Sequence, residues 1–438
     1  MTITPKFHLA KYRVIDARMG AGKSTAIISY INSTYHLVII LVERQSEVDR
    51  YTKSCPRLIS VADVAEQSGT LKSEEIVNLV KQGKSIVSTH QLFARWDGEL
   101  LRELKLKGYE LIKDEVIEGF EVLRQFKSED FELMLERKQL EALPNDELKR
   151  VRLGLFPLPS RYQDVTDALK NRDCYLYEFA DGIRLITAPK EEAFRVFDKV
   201  TILTYMFHAS TLSYMFKMNG YNFDCFSVSE GCIVSYVNQN GEPFLQLLLI
   251  EALAKRALRL SGGRPVSLSS SEAANKPAVH AVICKEIRNV YRRWQRDAGI
   301  SSNDFAYTYH GDYWEEVHHR DHSNLMLNRH YRDIVRREQM TEEQRKAVTF
   351  IPQTTRGTND HSHKKYMVFA VNVHMNPIIE NFLKSHFETI DTDSYALSRL
   401  VQWLWRGCIR KGEPMVCCVF SKRMRNLLKE WLGLPTER

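Results

Sequence analysis

Short apolar runs alternate with polar, helix-favouring stretches over the first 120 residues of the chain. The runs YRVID, HLVIILVE, SIVST and YELIKD are nearly continuous in hydrophobic residues, and amphipathic segments separate them. Strands that are buried on both faces have this composition, because helices cover both sides of a parallel sheet. We therefore predict an α/β fold built on parallel sheets flanked by helices.

The pattern changes from about residue 118 to residue 197. Charge-rich, helix-favouring sequence fills this region and precedes LYEFADGIRLITA, which is typical of a hairpin. The strand KVTILTYMF follows, and a second series of strands and helices continues to the C-terminus. We predict a first domain over residues 1–215, with a helical and β insertion over about 118–197, and a second domain over residues 216–438. Each is long enough to bury its own core.

A glycine-rich loop, DARMGAGKST, lies between the strand YRVID and a predicted helix that begins near Ser24. Its spacing fits GxxxxGK[ST], with alanine in place of the first glycine. In such a loop the backbone N–H groups turn towards phosphate oxygens, which requires glycine conformations, and the helix N-terminus also favours anions. We predict nucleotide contacts from Ala17, Gly20, Ala21, Gly22, Lys23, Ser24 and Thr25.

The strand ELIKD ends in two adjacent acids, Asp114 and Glu115. Asp114 would hold Mg²⁺ together with Ser24, and Glu115 would orient the attacking water. Adjacent acids at a strand end are often only solvated turn residues, so this interpretation depends on the phosphate loop. A water-activating glutamate favours hydrolysis of ATP over the alternative of a P-loop kinase for a small acceptor, because a kinase must exclude water.

Five stretches carry a resemblance to a known family: DARMGAGKST, SIVSTHQLF, LIKDEVIE, TILTYMFHAST and QWLWRGCIR, in this order. In this arrangement the chain resembles the superfamily 2 helicases of the DEAD/DEAH type, and particularly the divergent helicase-like proteins of bacteriophages and related mobile elements. The resemblance implies two tandem RecA-like domains that use ATP and Mg²⁺. It also implies a nucleic-acid partner, DNA rather than RNA, and a setting among replication or recombination proteins.

The resemblance assigns roles to residues of the first domain. Lys23 and Ser24 match the family's phosphate-loop lysine and Mg²⁺-binding hydroxyl. Asp114 and Glu115 match its metal carboxylate and catalytic glutamate. Ile117 stands where the family has Asp or His, so the sequence is DE-like rather than DEAD or DEAH.

Two further segments of the first domain match family motifs. Residues 204–211 match the motif that links hydrolysis to domain movement, but only Ala209 to Thr211 preserve its chemistry. A nucleic-acid-binding protein with a degenerate motor is therefore an alternative to an active helicase or translocase. The nucleic-acid-contacting loop falls on Ser88, Thr89, His90 and Gln91.

The segment DTDSYALSRLVQWLWRGCIRKG is predicted as one helix that ends at Gly412. The resemblance assigns Gln402, Arg406 and Arg410 to the family's arginine motif, in which a guanidinium stabilises the charge on the γ-phosphate. Trp405 stands where a glycine is usual. The alternative is an amphipathic helix with a basic, solvated face. Its buried face is predicted to contain Leu397, Leu400, Val401, Leu404 and Cys408.

Several other features are less specific. IPQTTRGTND resembles a second nucleic-acid loop, although an ordinary turn uses the same residues. The histidines of VHHRDHSN are predicted as surface residues rather than zinc ligands, and Trp294 or Trp314 is a candidate for base stacking. The loop residues are Arg356, Gly357, Thr358 and Asn359.

The composition narrows the class of protein. The formal net charge of +7 suits a polyanionic partner. The first residues lack the apolar region of a signal peptide, and no stretch approaches the roughly 18 apolar residues of a membrane span. We therefore expect a cytoplasmic protein with no membrane contact. The eight cysteines form no CxxC pair and are predicted as buried thiols. The sequence leaves the oligomeric state open.

Overall fold

A computed structural model describes residues 3–93, 96–143, 148–179, 182–253, 258–260, 263–269, 277–310, 349–353 and 360–437. The chain divides into two compact units. The first comprises residues 1–237 and 376–391, and the second comprises residues 238–375 and 392–438. Parallel sheets flanked by helices occur in both units, which confirms the predicted α/β class.

Seventeen strands lie within the described residues. In chain order they are β1 (Tyr12–Asp16), β2 (Val38–Val42), β3 (Leu58–Ser60), β4 (Ser85–Thr89), β5 (Glu110–Asp114), β6 (Glu121–Phe126), β7 (Leu140–Ala142), β8 (Arg150–Leu153), β9 (Arg172–Phe179), β10 (Gly182–Pro189), β11 (Lys199–Thr204), β12 (Phe223–Ser229), β13 (Cys232–Ser235), β14 (Leu248–Glu251), β15 (Phe305–Thr308), β16 (Tyr366–Phe369) and β17 (Met415–Val419).

The α-helices of the same described residues are α1 (Pro5–Leu9), α2 (Lys23–Ser33), α3 (Gln45–Ser54), α4 (Val61–Ser68), α5 (Lys72–Lys81), α6 (His90–Phe93), α7 (Gly98–Lys107), α8 (Ser128–Glu136), α9 (Gln163–Asn171), α10 (Glu192–Arg195), α11 (Thr211–Met218), α12 (Pro277–Ala298), α13 (Pro377–Lys384), α14 (Thr392–Leu404) and α15 (Lys422–Trp431). None of these helices is both long enough and apolar enough to cross a membrane.

The main sheet of the first unit has the strand order β13-β12-β1-β11-β5-β2-β4-β3. Every neighbouring pair is parallel except β12 and β13. The carboxyl ends of β1, β11 and β5 therefore meet at one edge, with β11 in the middle. Ligands of open α/β sheets bind at this edge.

Local sequence signals set the position of β5. The Asp97 side chain accepts the backbone N–H of Leu100 and starts α7, whose apolar residues pack inward. Gly108 takes a left-handed φ of 65° and ends the helix. The chain then enters β5, in which all five residues are buried. The acids at the end of β5 therefore project from a rigid, buried strand.

The predicted insertion forms its own antiparallel sheet, in the order β6-β10-β9-β8-β7. The predicted hairpin is present, because Phe179 pairs with Gly182 and the pairing continues along β9 and β10. The helix α13, which comes from residues far along the chain, packs on this region through Phe382. Its ring lies 5.3 Å from that of Phe120 and 5.7 Å from that of Tyr175.

The second unit contains a parallel sheet in the order β14-β17-β16-β15. The long helix α12 buries Val279, Ile283, Ile287 and Val290, which recur at helical spacing, in a core shared with the strands. The first unit extends beyond the predicted boundary at residue 215, because β12 pairs in parallel with β1 and carries the chain on to Val237.

Candidate nucleotide-binding site

The predicted phosphate loop connects β1 to α2. Gly20 and Gly22 have φ values of 82° and 88°, which a residue with a side chain rarely adopts. Gly22 also precedes the first residue of α2, so no side chain caps the amide groups at the start of that helix. The loop therefore has the backbone conformation and the uncapped helix start that suit an anion.

Alanine at the first loop position has a simple explanation. Ala17 is buried and uses only its backbone, since its N–H donates to the Thr204 carbonyl at 3.0 Å. The carbonyl of Ala17 accepts a hydrogen bond from Lys23 Nζ at 2.5 Å, and the Arg18 carbonyl accepts another at 3.0 Å. Position 17 does not have a positive φ, so glycine is not needed there. The ammonium of Lys23 lies across the loop that would hold the phosphates.

The structure brings together the two predicted Mg²⁺ ligands, which are 90 residues apart in sequence. The Ser24 hydroxyl donates to Asp114 Oδ2 at 3.1 Å. The Ser24 hydroxyl lies at the start of α2, and the Asp114 carboxylate lies at the end of β5. Both groups are hard oxygen donors, so this pair fits Mg²⁺. Burial raises the pKa of Asp114, and the nearby Glu115 raises it further. A bound cation would remove this penalty.

The sequence did not predict the contribution of α3 to this site. The Tyr51 hydroxyl donates to Asp114 Oδ2 at 2.6 Å, and Arg50 Nη2 lies 3.3 Å from the same oxygen. Glu47 is on the same helix, and burial together with the charges of Asp114 and Glu115 raises its pKa to about 7. Tyr51 is fully buried, and it lies at helical spacing from the buried Val48. In the sequence this spacing indicates only a core position, so it did not identify Tyr51 as a site residue.

Glu115 has an unusual backbone conformation, with φ at 81°. Non-glycine residues in this region are strained by about 1–3 kcal/mol, and such strain is concentrated at functional sites. The Glu115 N–H donates to the Leu203 carbonyl of the neighbouring strand β11 at 3.0 Å. This bond fixes the turn that follows Asp114.

The predicted nucleic-acid loop lies at the carboxyl end of β4, on the same edge of the sheet. Ser88 is buried, Thr89 and His90 are half-buried, and Gln91 is exposed. His90 Nε2 lies 3.1 Å from the backbone oxygen of Asp114. This segment therefore adjoins Asp114, the predicted metal carboxylate. Its contact with nucleic acid stays a prediction.

Residues 204–211 connect β11 to α11. Met206 takes a left-handed φ of 58°, and a short 3-10 helix, Phe207–Ala209, follows it. The Thr211 hydroxyl donates to Glu118 at 3.0 Å and accepts the Gly119 N–H at 2.8 Å. Thr211 therefore contacts the segment that follows Asp114 and Glu115. Asp16, which the sequence interpretation did not single out, accepts backbone N–H groups of this turn.

The predicted arginine helix is shorter than expected. α14 ends at Leu404, and a separate 3-10 helix, Cys408–Lys411, ends at Gly412. The break occurs at Gly407, where an added Cβ would lie 2.3 Å from Met415 and 2.8 Å from the Lys364 carbonyl. The next N–H, that of Cys408, donates to the same carbonyl at 2.9 Å. The prediction of one helix to Gly412 was therefore wrong, because packing against distant strands stops it.

The residues of this segment have different environments. Its predicted apolar face is confirmed as buried. Trp405, in place of the usual glycine, packs edge-on against Phe244 at 4.7 Å and Trp431 at 5.5 Å. Arg406 is buried, whereas Gln402 and Arg410 are half-buried. Arg406 and Arg410 therefore do not share one α-helical face.

Some predicted residues lie outside the described residues. These are Arg356, Gly357, Thr358, Asn359, Trp314 and the three histidines His318, His319 and His322. Trp294 is described and is buried in the core of the second unit. Its Nε1 donates to Glu251 at 3.2 Å and its ring lies 5.3 Å from that of Tyr366. Trp294 is therefore a packing residue and not a base-stacking one.

Comparison with known proteins gives a family match and a relative along nearly the whole chain. Residues 248–432 match the family described as the YonV C-terminal Rossmann-like domain. The chain is 25% identical over 440 residues to the SPbeta prophage-derived uncharacterized protein YonV of Bacillus subtilis (strain 168), covering 97% of this chain and 99% of that protein. This similarity to a prophage-derived protein agrees with the resemblance to proteins of mobile elements.

Two solved structures show distant similarity to the chain. Xpd4 of S. tokodaii is 12% identical, with a TM-score of 0.48 over 98% of this chain and 95% of that chain. An XPD helicase structure is 11% identical, with a TM-score of 0.43 over 98% of this chain and 92% of that chain. Both are distant similarities that extend along both units.

Proposed function

We propose that the chain is an ATP-dependent nucleic-acid motor, a helicase or translocase, with its ATP-hydrolysing centre at the carboxyl edge of the main sheet. The observation that carries this proposal is the meeting of three elements there. The phosphate loop, the Ser24 hydroxyl and the Asp114 carboxylate come together at the ends of β1 and β5. DNA is favoured over RNA because the resemblance is to proteins of bacteriophages and mobile elements.

The side chains of the first unit can divide the chemistry among them. Lys23 would bind the β and γ phosphates, and the start of α2 would contribute backbone N–H groups. Mg²⁺ held by Ser24 and Asp114 would supply charge neutralisation. Glu115 would orient the attacking water and accept its proton. Tyr51 would hold the Asp114 carboxylate in one orientation through its 2.6 Å hydrogen bond.

The resemblance assigns to Arg406 or Arg410 the stabilisation of negative charge on the γ-phosphate, a role worth about 10³–10⁵ in rate. Lysine preserves the charge but not the planar fork of donors. Because Arg410 is half-buried and Arg406 is buried, we expect Arg410→Lys to lower the ATP turnover of a stable protein. We expect Arg406→Lys to lower the thermal unfolding temperature first. The reverse pattern would assign the catalytic arginine to Arg406.

The experiment that tests the proposal is ATP hydrolysis with and without single-stranded DNA or RNA. Lys23→Ala is the variant that should lose turnover. Lys53→Ala, an exposed lysine on α3 of the same unit, is the matched control and should retain it. Stimulation by one polymer, lost only in Lys23→Ala, supports a motor. Turnover that is equal in Lys23→Ala and wild type would refute it.

A second candidate function is nucleic-acid binding by a degenerate motor. It is favoured by the incomplete match at residues 204–211, where Ala209 to Thr211 alone preserve the family chemistry. This candidate predicts that nucleotide or nucleic acid binds without turnover of ATP. The motor predicts reciprocal coupling between the two ligands.

A further inference from the structure

Asp16 is the last residue of β1 and lies directly before the phosphate loop. It is buried, with 4% of its surface exposed, and its two carboxylate oxygens accept separate backbone N–H groups. Oδ1 accepts the N–H of Met206 at 2.7 Å and Oδ2 accepts the N–H of Phe207 at 3.0 Å. A carboxylate that accepts two amides in this way makes charge-assisted hydrogen bonds, which are stronger than neutral ones.

The turn that Asp16 holds is intrinsically unfavourable. Met206 has φ 58° and ψ 50°, the left-handed region. This conformation costs a non-glycine residue about 1–2 kcal/mol, and neither glycine nor asparagine is present to reduce the cost. Such a conformation persists only where its surroundings hold it in place. The two hydrogen bonds to Asp16 supply that restraint.

The same turn reaches both halves of the candidate site. On one side, the Thr204 carbonyl accepts the N–H of Ala17 in the phosphate loop at 3.0 Å. On the other side, the turn leads through Ser210, which caps α11, to Thr211. The Thr211 hydroxyl bonds Glu118 and Gly119, which follow Asp114 and Glu115.

Close packing makes the contact at Gly119 sensitive to the position of Thr211. A Cβ at Gly119 would lie 2.3 Å from the Thr211 carbonyl oxygen, so the two backbones are in direct contact. A displacement of Thr211 must therefore move Gly119. A continuous series of hydrogen bonds and backbone contacts runs from the phosphate loop to the segment with the metal carboxylate.

We propose that Asp16 is a positioning residue that couples the phosphate loop to the Asp114–Glu115 segment by holding the Met206 turn. The proposal rests on the proposed function for its effect on turnover, but not for the turn itself. Asp16 contacts neither the nucleotide nor the metal in this role. The effect of nucleotide binding at the loop would be transmitted through Thr204, Thr211 and Gly119 to the residues that hold metal and water.

The test replaces Asp16 with asparagine, which has almost the same shape but can accept only through one oxygen. We expect kcat to fall about tenfold to hundredfold, the effect of one charge-assisted hydrogen bond. The Kd for a fluorescent ATP analogue should stay within about twofold, because the loop glycines and Lys23 are unchanged. Adding Met206→Gly should restore most of the lost kcat, since glycine adopts the left-handed turn without the restraint.

The matched control is Asp173→Asn in the insertion. Asp173 is a half-buried carboxylate of the insertion that also accepts a backbone N–H, that of Glu191 at 2.7 Å. This control should leave kcat and the Kd for the ATP analogue unchanged. A fall in kcat of the same size in both variants would show a general effect of losing a carboxylate that accepts a backbone N–H, and would overturn the proposal.

Amide hydrogen exchange tests the restraint independently of turnover. Asp16→Asn should accelerate exchange at residues 205–210. In the wild type, the non-hydrolysable analogue AMP-PNP with Mg²⁺ should protect residues 112–120, and Asp16→Asn should remove that protection. Unchanged exchange in the variant, no protection in the wild type, or an ATP affinity that falls in parallel with kcat would each overturn the proposal. A wild type that binds the analogue without hydrolysing ATP would contradict the proposed function alone.

Discussion

The two ends of the central strands in the first unit both contain buried charges, but they neutralise them differently. At the amino end, Arg13 and Glu110 form an ion pair with side chains that are 0% and 1% exposed. Arg13 also donates to Thr201 and to the Phe7 carbonyl, and the Tyr30 hydroxyl donates to Glu110 at 2.7 Å. The two buried charges of this pair are of opposite sign and neutralise each other.

At the carboxyl end, the buried charges include several acids. Asp16, Glu47 and Asp114 are all mostly buried, and burial raises the pKa of each. Arg50 is a cation in contact with Asp114, and its side chain is 39% exposed. The difference indicates that the amino end is built for stability, whereas the carboxyl end contains buried acids whose unfavourable charge a bound Mg²⁺ would neutralise.

The largest expected effect is on turnover at the carboxyl end. Lys23→Ala and Glu115→Gln should each lower kcat at least about 10⁴-fold, the scale for losing a residue of a catalytic unit. Glu115→Gln should still bind ATP, because it preserves the phosphate loop, whereas Lys23→Ala should bind it weakly. Steady-state hydrolysis and fluorescent ATP binding measure the two effects. Wild-type rates in Glu115→Gln would remove that residue from the mechanism.

The second prediction concerns the amino end. Glu110→Ala should destabilise the first unit by about 3–5 kcal/mol, because it leaves the Arg13 charge buried without its partner. ATP hydrolysis per folded molecule should stay near the wild-type value at low temperature. Thermal unfolding with hydrolysis assays before the transition separates the two quantities. A loss of kcat without a loss of stability would show that the two ends are not functionally distinct.

The third prediction uses Lys113, between the two ends on β5. Its ammonium lies 4.0 Å from the Phe93 ring centroid, and burial lowers its pKa from 10.5 to about 7. Between pH 7 and pH 10.5 the unfolded chain holds one more proton on Lys113 than the folded chain. The free energy of unfolding therefore rises with pH, by up to about 1.4 kcal/mol per pH unit. Below pH 7 both states hold the proton and this contribution to the pH dependence ends.

Lys113→Met should therefore flatten the rise in unfolding temperature between pH 7 and pH 10 and stabilise the protein at pH 7. Burial also lowers the pKa of Lys364 in the second unit to about 7. Lys364→Met is the matched control, and it should flatten the transition of the second unit instead. Parallel pH curves for wild type and Lys113→Met would contradict the prediction.

The smallest effect is expected at Tyr51. Tyr51→Phe removes the 2.6 Å hydrogen bond to Asp114 and leaves the ring packing intact. A hydrogen bond to a carboxylate contributes about 1.5–3 kcal/mol, so the Mg²⁺ concentration for half-maximal hydrolysis should change about tenfold or more. The Tyr30→Phe variant loses a comparable bond to Glu110 at the other end and should leave the Mg²⁺ requirement unchanged. Equal Mg²⁺ curves for Tyr51→Phe and wild type would exclude Tyr51 from orienting the carboxylate.

The parts of the site that could be predicted from sequence are those whose structure depends on the spacing of neighbouring residues. The phosphate loop, the strand ending in Asp114 and the helix after Gly22 are each set by neighbouring residues, and the pattern of apolar runs predicted the parallel sheet. The insertion was visible in its charge-rich composition. Tyr51 was not predictable as a site residue, because its position on an amphipathic helix indicates only core packing.

Long-range packing decided the features that the sequence did not reveal. The end of α14 depends on the close packing of Gly407 against Met415 and Lys364. The sequence around Trp405 does not predict this helix end. The turn at Met206 depends on Asp16, which is 190 residues earlier in the chain. The placement of β11 between β1 and β5 determines which residues adjoin the site. Strand order of this kind is not encoded in any local pattern.

A nucleic-acid motor requires that ATP binding at the carboxyl edge changes the affinity for nucleic acid, and this change can be measured. Glu115→Gln should bind ATP without turning it over, so its affinity for fluorescently labelled single-stranded DNA can be measured by anisotropy with and without Mg²⁺ and ATP. We expect a change in Kd of about fivefold or more, typical of coupled sites, that is absent when Lys23→Ala is added. Identical DNA affinities with and without ATP, in a protein shown to bind ATP, would contradict a motor.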